Sequence, residues 1–468
     1  MTESLETPIE QSEAARLSGT DLASLLLGTF LALFDFFVTN VSLPSIGADL
    51  HAYGVSLTLV VGAYALTYGS GLLLGSQLGG RYGHMRVFRI AMACFLVSSL
   101  VCAAARTPAV LIFGRVLQGA SIAGVIPQIL TMIKLRTTGD QRKRALSWYA
   151  RTVAAGQVSG QVFGGLTISF NLFGMAWRWA FILSAVAAGL GILTSRNITD
   201  VRTRRGWDMP TYAGVTVAIL LFFVAAVMPG GVSGTSLRII AAVTGVLITA
   251  VIIRRERSRG KQGYPGDLSV LSSGPLLLSL LANACFYAFV TSFFFIYALY
   301  LQRGLSWSPA EAGAIFLAYA AGMNAGAYLV SHSDRTRNSR LLLIGTVFMT
   351  GGIGILIAGG LCPALAPLVT LVPGLALAGA GNGLLLPVLV GQAMSRVSPE
   401  RAAAVSGILP TAQQLGGAVG VTILGALYLR LVGPLGDMGG YRRAFAVCAA
   451  VEIILLAATW ITANSRRK

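Results

Sequence analysis

The sequence predicts an all-α polytopic membrane protein with fourteen transmembrane helices, arranged as two six-helix bundles and two extra central helices. Three observations carry this. Of 468 residues, 55% are hydrophobic and only 11% charged, and the mean hydropathy is +0.74; a soluble chain would carry about 25% charged residues. The apolar residues fall in blocks of about twenty, the length that crosses ~30 Å of hydrocarbon as a helix. Lysine and arginine gather in alternate loops, as the positive-inside bias requires.

The first block, 20–44, holds a lone carboxylate, Asp35, and ends at Pro44. Blocks 54–76 and 87–105 flank a loop with Arg81, Arg86 and Arg89. Block 108–133 contains Arg115 and is followed by "KLRTTGDQRKR". Blocks 145–168 and 177–194 lead to "RNITDVRTRRGWD". Blocks 211–230 and 237–254 end at "RRERSRGK". Block 274–300 includes "TSFFFIYALY", strand-like in composition but part of a stretch far too long for a strand. Block 308–331 opens with Glu311 and precedes "DRTRNSR". Blocks 341–360, 367–394, 402–430 and 444–462 complete the set, the last with Glu452, before the tail "SRRK".

The opposite loops and helix ends hold only Arg106, Arg178, Arg238, Arg303, Arg430, Arg442 and Arg443. Both termini are therefore expected on the cytoplasmic side of the cell membrane. The net charge of +18 then reflects loops facing anionic lipid heads, and no nucleic acid is implied. Residues 1–19, with Glu3, Glu6, Glu10 and Glu13, have the wrong sign for a signal peptide and read as an acidic cytoplasmic tail.

Two weak repeats agree. "RVLQGASIAGVIP" and "LALAGAGNGLLLP" each place a proline eight residues after a glycine, at 119/127 and 379/387, an offset of 260. Arg144-Ala145 with Gly160, and Arg401-Ala402 with Gly417, share an offset of 257. Both equal eight spans, so the copies run in the same direction. The division is a bundle at 20–194, loops plus two extra helices at 195–272, and a second bundle with a basic tail at 273–468. Parallel repeats of this kind suggest bundles that rock about a midplane site.

Cys94, Cys102, Cys285, Cys362 and Cys448 have no metal-ligand spacing, and His51, His84 and His332 form no cluster. No metal, cofactor or enzymatic site is expected.

Several motifs bear a family resemblance. "DFFVTNVSLP" carries Asp35, Asn40 and Pro44; "LIFGRVLQGA" carries Arg115, Gln118 and Gly119; "GQVSGQVFGG" carries Gly156, Gly160, Gly164 and Gly165; "WRWAFIL" follows. Together they resemble the fourteen-span drug:proton antiporters of the major facilitator superfamily. The loop "SQLGGRYGHMRVF" keeps Leu78, Arg81, Gly83 and Arg86, yet Gly80 replaces that family's aspartate, which is thought to latch the two bundles. The counterpart loop retains Asp334-Arg335, and Gln161 replaces a fifth-span proline.

By helical rise, Asp35 and Arg115 lie roughly 13 and 10 Å from the outer face. The fold implied by the resemblance brings spans 1 and 4 together, so the two residues are expected to pair. Ionisable groups at such depth are functional by default. Burial disfavours the charged carboxylate and a neighbouring arginine favours it, so separating the pair would drive protonation. Glu452, roughly 12 Å deep, shares a face with Cys448, Ala449 and Thr459 and is a second candidate for proton coupling. Gly156, Gly160 and Gly164 form a face for close helix contact. Gln157 and Gln161 form a polar face beside it. Asn283, Tyr287, Val290, Phe294 and Tyr297 make one helical stripe; Phe286, Phe289 and Phe293 make a second, for packing or lipid contact. With Asn40, Tyr64, Tyr68 and Gln118, the first stripe would line an amphipathic pocket.

The function expected is proton-driven export of an amphipathic organic compound by a monomeric carrier, its partners being substrate, protons and lipid. A facilitator or importer of a neutral or anionic metabolite stays open, as does a non-transporting sensor on the same fold.

Overall fold

The computed structural model describes residues 17–202, 209–227, 232–259, 273–332, 338–361, 367–396, 402–433 and 438–464. Asp334 and Arg335 lie outside these residues.

The helices are α1 Gly19–Asp49, α2 Val55–Tyr82, α3 His84–Ala103, α4 Pro108–Arg136, α5 Gly139–Phe170, α6 Arg178–Thr194, α7 Met209–Val227, α8 Val232–Arg259, α9 Gly274–Leu299, α10 Pro309–Ala314, α11 Phe316–Ser331, α12 Asn338–Leu361, α13 Pro367–Ser395, α14 Ala402–Val432 and α15 Met438–Asn464. A π-helical turn, Tyr300–Gly304, extends α9, and α10 with α11 forms one rod, so the described residues make fourteen rods. Eleven are long and apolar enough to cross a membrane, and α6 and α7 are shorter apolar helices. α5 is the most polar rod, because it starts six residues before its apolar block and absorbs Asp140, Arg142, Lys143 and Arg144.

One other helix differs from expectation. α1 continues past Pro44 to Asp49. Proline costs a helix the hydrogen bond to the carbonyl four residues earlier, but bonds from neighbouring groups can still hold the turn. Here Gln302 Nε2 donates to the Val41 carbonyl at 2.9 Å and Arg303 to that of Pro44 at 3.3 Å. Asp35 is consequently deeper in its helix than the block boundary implied. α5 runs unbroken through Gln161, where the resemblance leads one to expect a proline.

The same pairings occur twice. In the first set, α1 packs on α5 and α6, α2 on α4, and α3 on α4 and α6. In the second, α9 packs on α14 and α15, α11 on α13, and α12 on α13 and α15. Glycines set the closest approaches: a Cβ on Gly160 would lie 2.6 Å from the Phe34 carbonyl oxygen, and one on Gly420 would lie 2.5 Å from the Ala288 Cα. Across the two sets, α2 packs along α14 and α5 packs on α10. α7 and α8 pair as a hairpin against α2, where Thr216 Oγ1 donates to the Ser70 carbonyl at 2.8 Å.

Candidate functional site

Asp35 and Arg115 form an ion pair between α1 and α4, and neither side chain is exposed. Apolar helices carry them, so the charges must be satisfied from within the bundle. Asp35 Oδ2 accepts from Arg115 Nη1, while Oδ1 accepts from Gln118 Nε2 at 3.1 Å and from Ser184 Oγ of α6 at 3.2 Å. Arg115 also donates from Nε to the Val60 carbonyl at 3.0 Å and from Nη1 to Gln118 Oε1 at 2.8 Å. Its guanidinium lies 4.3 Å from the Tyr64 ring centroid, and Tyr64 Oη donates to the Ala32 carbonyl at 2.9 Å. Gln118 Nε2 further donates to Ser99 Oγ at 2.8 Å. Helices α1, α2, α3, α4 and α6 of the first set thus gather around one carboxylate that accepts from three donors.

Tyr64 and Gln118, expected at the pocket wall, are therefore tied into this network. Ser99 and Ser184 were not singled out from the sequence, since lone serines on apolar helices carry no distinguishing spacing.

A second group lies where α1, α5, α9 and α10 meet. The Phe37 and Phe294 rings are 4.9 Å apart across the two sets of helices; Phe294 meets Phe316 at 5.3 Å, and Tyr297 meets Phe316 at 5.7 Å. One turn from Phe316, Gly313 packs on the Gln161 carbonyl. Asn40 Oδ1, both Gln161 amide atoms and Tyr297 Oη are buried here with no protein partner. Phe286, Phe289 and Phe293 are buried at 1%, 0% and 1% exposure, so the second stripe is packing and not lipid contact.

Tyr68 packs 6.1 Å from Tyr64, and both Tyr149 of α5 and Tyr287 of α9 are within electrostatic range of it. Tyr149 and Tyr287 are half-buried. Tyr149 was missed from sequence because no aromatic stripe at helical spacing marks it. Gln157 is half-buried on α5. Asn283 is taken up internally: it donates to the Ser279 carbonyl at 2.9 Å and accepts from Gln413 at 3.0 Å. Glu452 is 1% exposed, beside Ser292 of α9. Glu311 caps α10 with Ser308 at the surface.

Contacts between the two sets on the α5 side gather at the Pro44 end, where the Ala310 amide also donates to Ser169 Oγ at 3.2 Å. At the arginine-rich end of α5, Trp148 is 54% exposed. The loop motif at that end is held differently from the family pattern. Gly80 offers no carboxylate; Asp200, in the segment after α6, accepts from the Met85 amide at 2.8 Å at the start of α3. Gly83 has φ +104° beside that carboxylate, while Arg81 stacks on Tyr82 and Arg86 is exposed.

The puromycin resistance protein pur8 of Streptomyces alboniger is 30% identical over 485 residues, covering 97% of this chain and 94% of the relative. The probable actinorhodin transporter of Streptomyces coelicolor is 29% identical over 429 residues, covering 88% and 72%. Quinolone resistance protein NorB of Staphylococcus aureus is 23% identical, covering 86% and 88%. A bacterial homologue of the human lysosomal transporter Spinster, inward-facing and unoccupied, has the same fold at a TM-score of 0.68 and 18% identity, covering 95% and 96%. A model of the Major Facilitator Superfamily matches residues 25–421 and 279–468. With that match across most of its length, the chain belongs to the Major Facilitator Superfamily and is a multi-pass membrane transporter.

Proposed function

We propose that this transporter exports an amphipathic, drug- or antibiotic-like compound across the cytoplasmic membrane in exchange for protons, with both termini in the cytoplasm. The observation that carries the reading is the sealed Asp35–Arg115 pair, a titratable group in an apolar span whose charge depends on one movable partner. Export is supported by the relatives, which include proteins named for resistance to puromycin and quinolones.

In this reading the bundles alternate about the midplane. The contacts between the two sets at the Pro44 end then form the outer closure. Tyr68, Tyr149, Tyr287 and Gln157 border the substrate path, and the partnerless atoms of Asn40, Gln161 and Tyr297 meet polar groups of the substrate at its outer limit. Asp35 takes a proton when α1 moves away from Arg115 and releases it when the pair re-forms. Both are in one bundle, so α1, which also carries Phe37 against Phe294, is the element that links the pair to the rocking interface.

The test is a ligand panel on inverted membrane vesicles loaded with a pH-sensitive dye. Substrate-triggered loss of the proton gradient is the expected result. Saturable flux without proton movement would favour a facilitator.

A further inference from the structure

The first span of the second set carries a hydroxyl where the first set has its carboxylate. Ser292 follows Asp35 by 257 residues, the offset that also relates Gly160 to Gly417. Asp35 on α1 meets a serine on α6; Ser292 on α9 meets Glu452 on α15, the helix equivalent to α6. The acid and the hydroxyl have changed places between the bundles. The arginine has no such counterpart. At an offset of 260, Leu375 stands for Arg115 and Ala378 for Gln118, both at 0% exposure.

The hydrogen inventory at the two acids then differs. Asp35 receives three donors. Ser292 Oγ lies 2.8 Å from the Ala288 carbonyl oxygen, 3.0 Å from that of Phe289 and 2.9 Å from Glu452 Oε1. A serine has one hydroxyl proton, and the Ala288 carbonyl and the Glu452 carboxyl compete for it. A protonated Glu452 lets both be satisfied, since Oγ can then donate to Ala288 while accepting from the carboxylic acid. An ionised Glu452 would have that single hydroxyl as its donor. It would also face no cation: the ion pairs among the described residues are Asp35–Arg115, Asp140–Lys143 and Asp49–Arg178.

Other ionisable groups do not change this. On α15, Cys448 is one turn away and its thiol is directed to the Leu424 carbonyl at 3.9 Å, while Tyr441, Arg442 and Arg443 are more than two turns off. α9 carries Cys285, Tyr287 and Tyr297; α14 carries Tyr428 and Arg430; the turn after α9 carries Tyr300 and Arg303. Among the described residues of α12, Arg340 at its start is the ionisable one.

We propose that Glu452 and Ser292 form a second proton-binding site, the counterpart of the Asp35 site, at which the carboxyl holds its proton at neutral pH. The carrier then holds one acid paired with an arginine and one without a cation at equivalent levels of its two bundles.

Infrared spectroscopy of the purified full-length chain in lipid nanodiscs tests this. A protonated-carboxyl band at pH 7 is expected in the wild type, absent in Glu452→Gln and retained in Asp35→Asn. Ser292→Ala should shift that band, because its hydrogen-bond acceptor is gone, and this variant serves equally if Glu452→Gln fails to fold. Loss of ionised-carboxylate intensity in Glu452→Gln, or a protonated band that Ser292→Ala leaves unmoved, would overturn the assignment. Failure of proton-linked export would remove the coupling proposed for Asp35 and leave this band in place.

Discussion

Gly165 on α5 and Pro309 on α10 touch backbone to backbone across the two bundles: a Cβ on Gly165 would fall inside contact distance of the Pro309 carbonyl oxygen and lie 2.9 Å from the Ala310 Cα. Neither atom belongs to a flexible side chain, so an added methyl group must push the helices apart. Gly165→Val should therefore open the Pro44 end. Overpacking of this kind costs ~1–3 kcal/mol, so the ratio of closed to open forms should fall about fivefold or more. Spin-label distances between the ends of α5 and α10 would report it, and an unchanged distribution would show that the contact does not hold the closure.

Gly160, five residues earlier, faces its own bundle. Its Cβ would meet Phe34 O at 2.6 Å and Val38 N at 3.0 Å. The same valine there should strain the α1–α5 seam and lower the detergent melting temperature by an amount matching ~1–3 kcal/mol. Gly165→Val should leave that temperature nearly unchanged. If both variants melt alike, the two glycines do not divide between gate and scaffold.

At the arginine-rich end, Gly83→Ala would bring a Cβ against the Asp200 carboxylate at a φ of +104°. It should destabilise the chain more than Asp200→Ala alone, whose cost is that of a lost helix cap, ~1 kcal/mol. In the double variant the clash is gone and only the backbone strain remains, so the two losses should add to less than their sum. Strict additivity in thermal melts would mean that Asp200 is not seated at Gly83.

Fourteen rods were legible because each crossing needs its own apolar block, a constraint that acts on local sequence. The reach of α1 past Pro44 was not, because the turn there is held by hydrogen bonds to the Val41 and Pro44 carbonyls from Gln302 and Arg303, more than 250 residues away. Asp35 and Arg115 stood out as charges where charges are costly. Ser184, Ser99 and the Val60 carbonyl, which complete their shell, look like ordinary helix components until the bundle is assembled. Tyr149 lay inside the expected block 145–168, but no aromatic stripe at helical spacing marked it as part of a site.

That tyrosine gives a specificity prediction. Tyr68, Tyr149 and Tyr287 offer three phenols to one region, from three helices. Removing one hydroxyl from a site that hydrogen-bonds its ligand costs ~0.5–1.5 kcal/mol. Tyr149→Phe should weaken binding of polar aromatic substrates by about two- to tenfold and spare hydrophobic ones, read as Kd by fluorescence quenching. Equal effects on both groups would make Tyr149 a packing residue.

The last prediction separates charge from structure at Asp35. Truncating one member of a buried ion pair leaves the other uncompensated and costs about 3–5 kcal/mol, whereas replacing both with well-packed apolar groups of similar volume is often close to neutral. Asp35→Asn should thus lower thermal stability, and Asp35→Leu with Arg115→Met should recover most of it. Transport should behave otherwise. Neither variant has a group at position 35 that titrates, so both should fail to concentrate substrate in proteoliposomes energised by a pH gradient alone, while still binding substrate and exchanging it passively. The folded, stable double variant removes the objection that lost export reflects lost fold. If it still concentrates substrate, proton coupling lies elsewhere, with Glu452 the next carboxyl to examine.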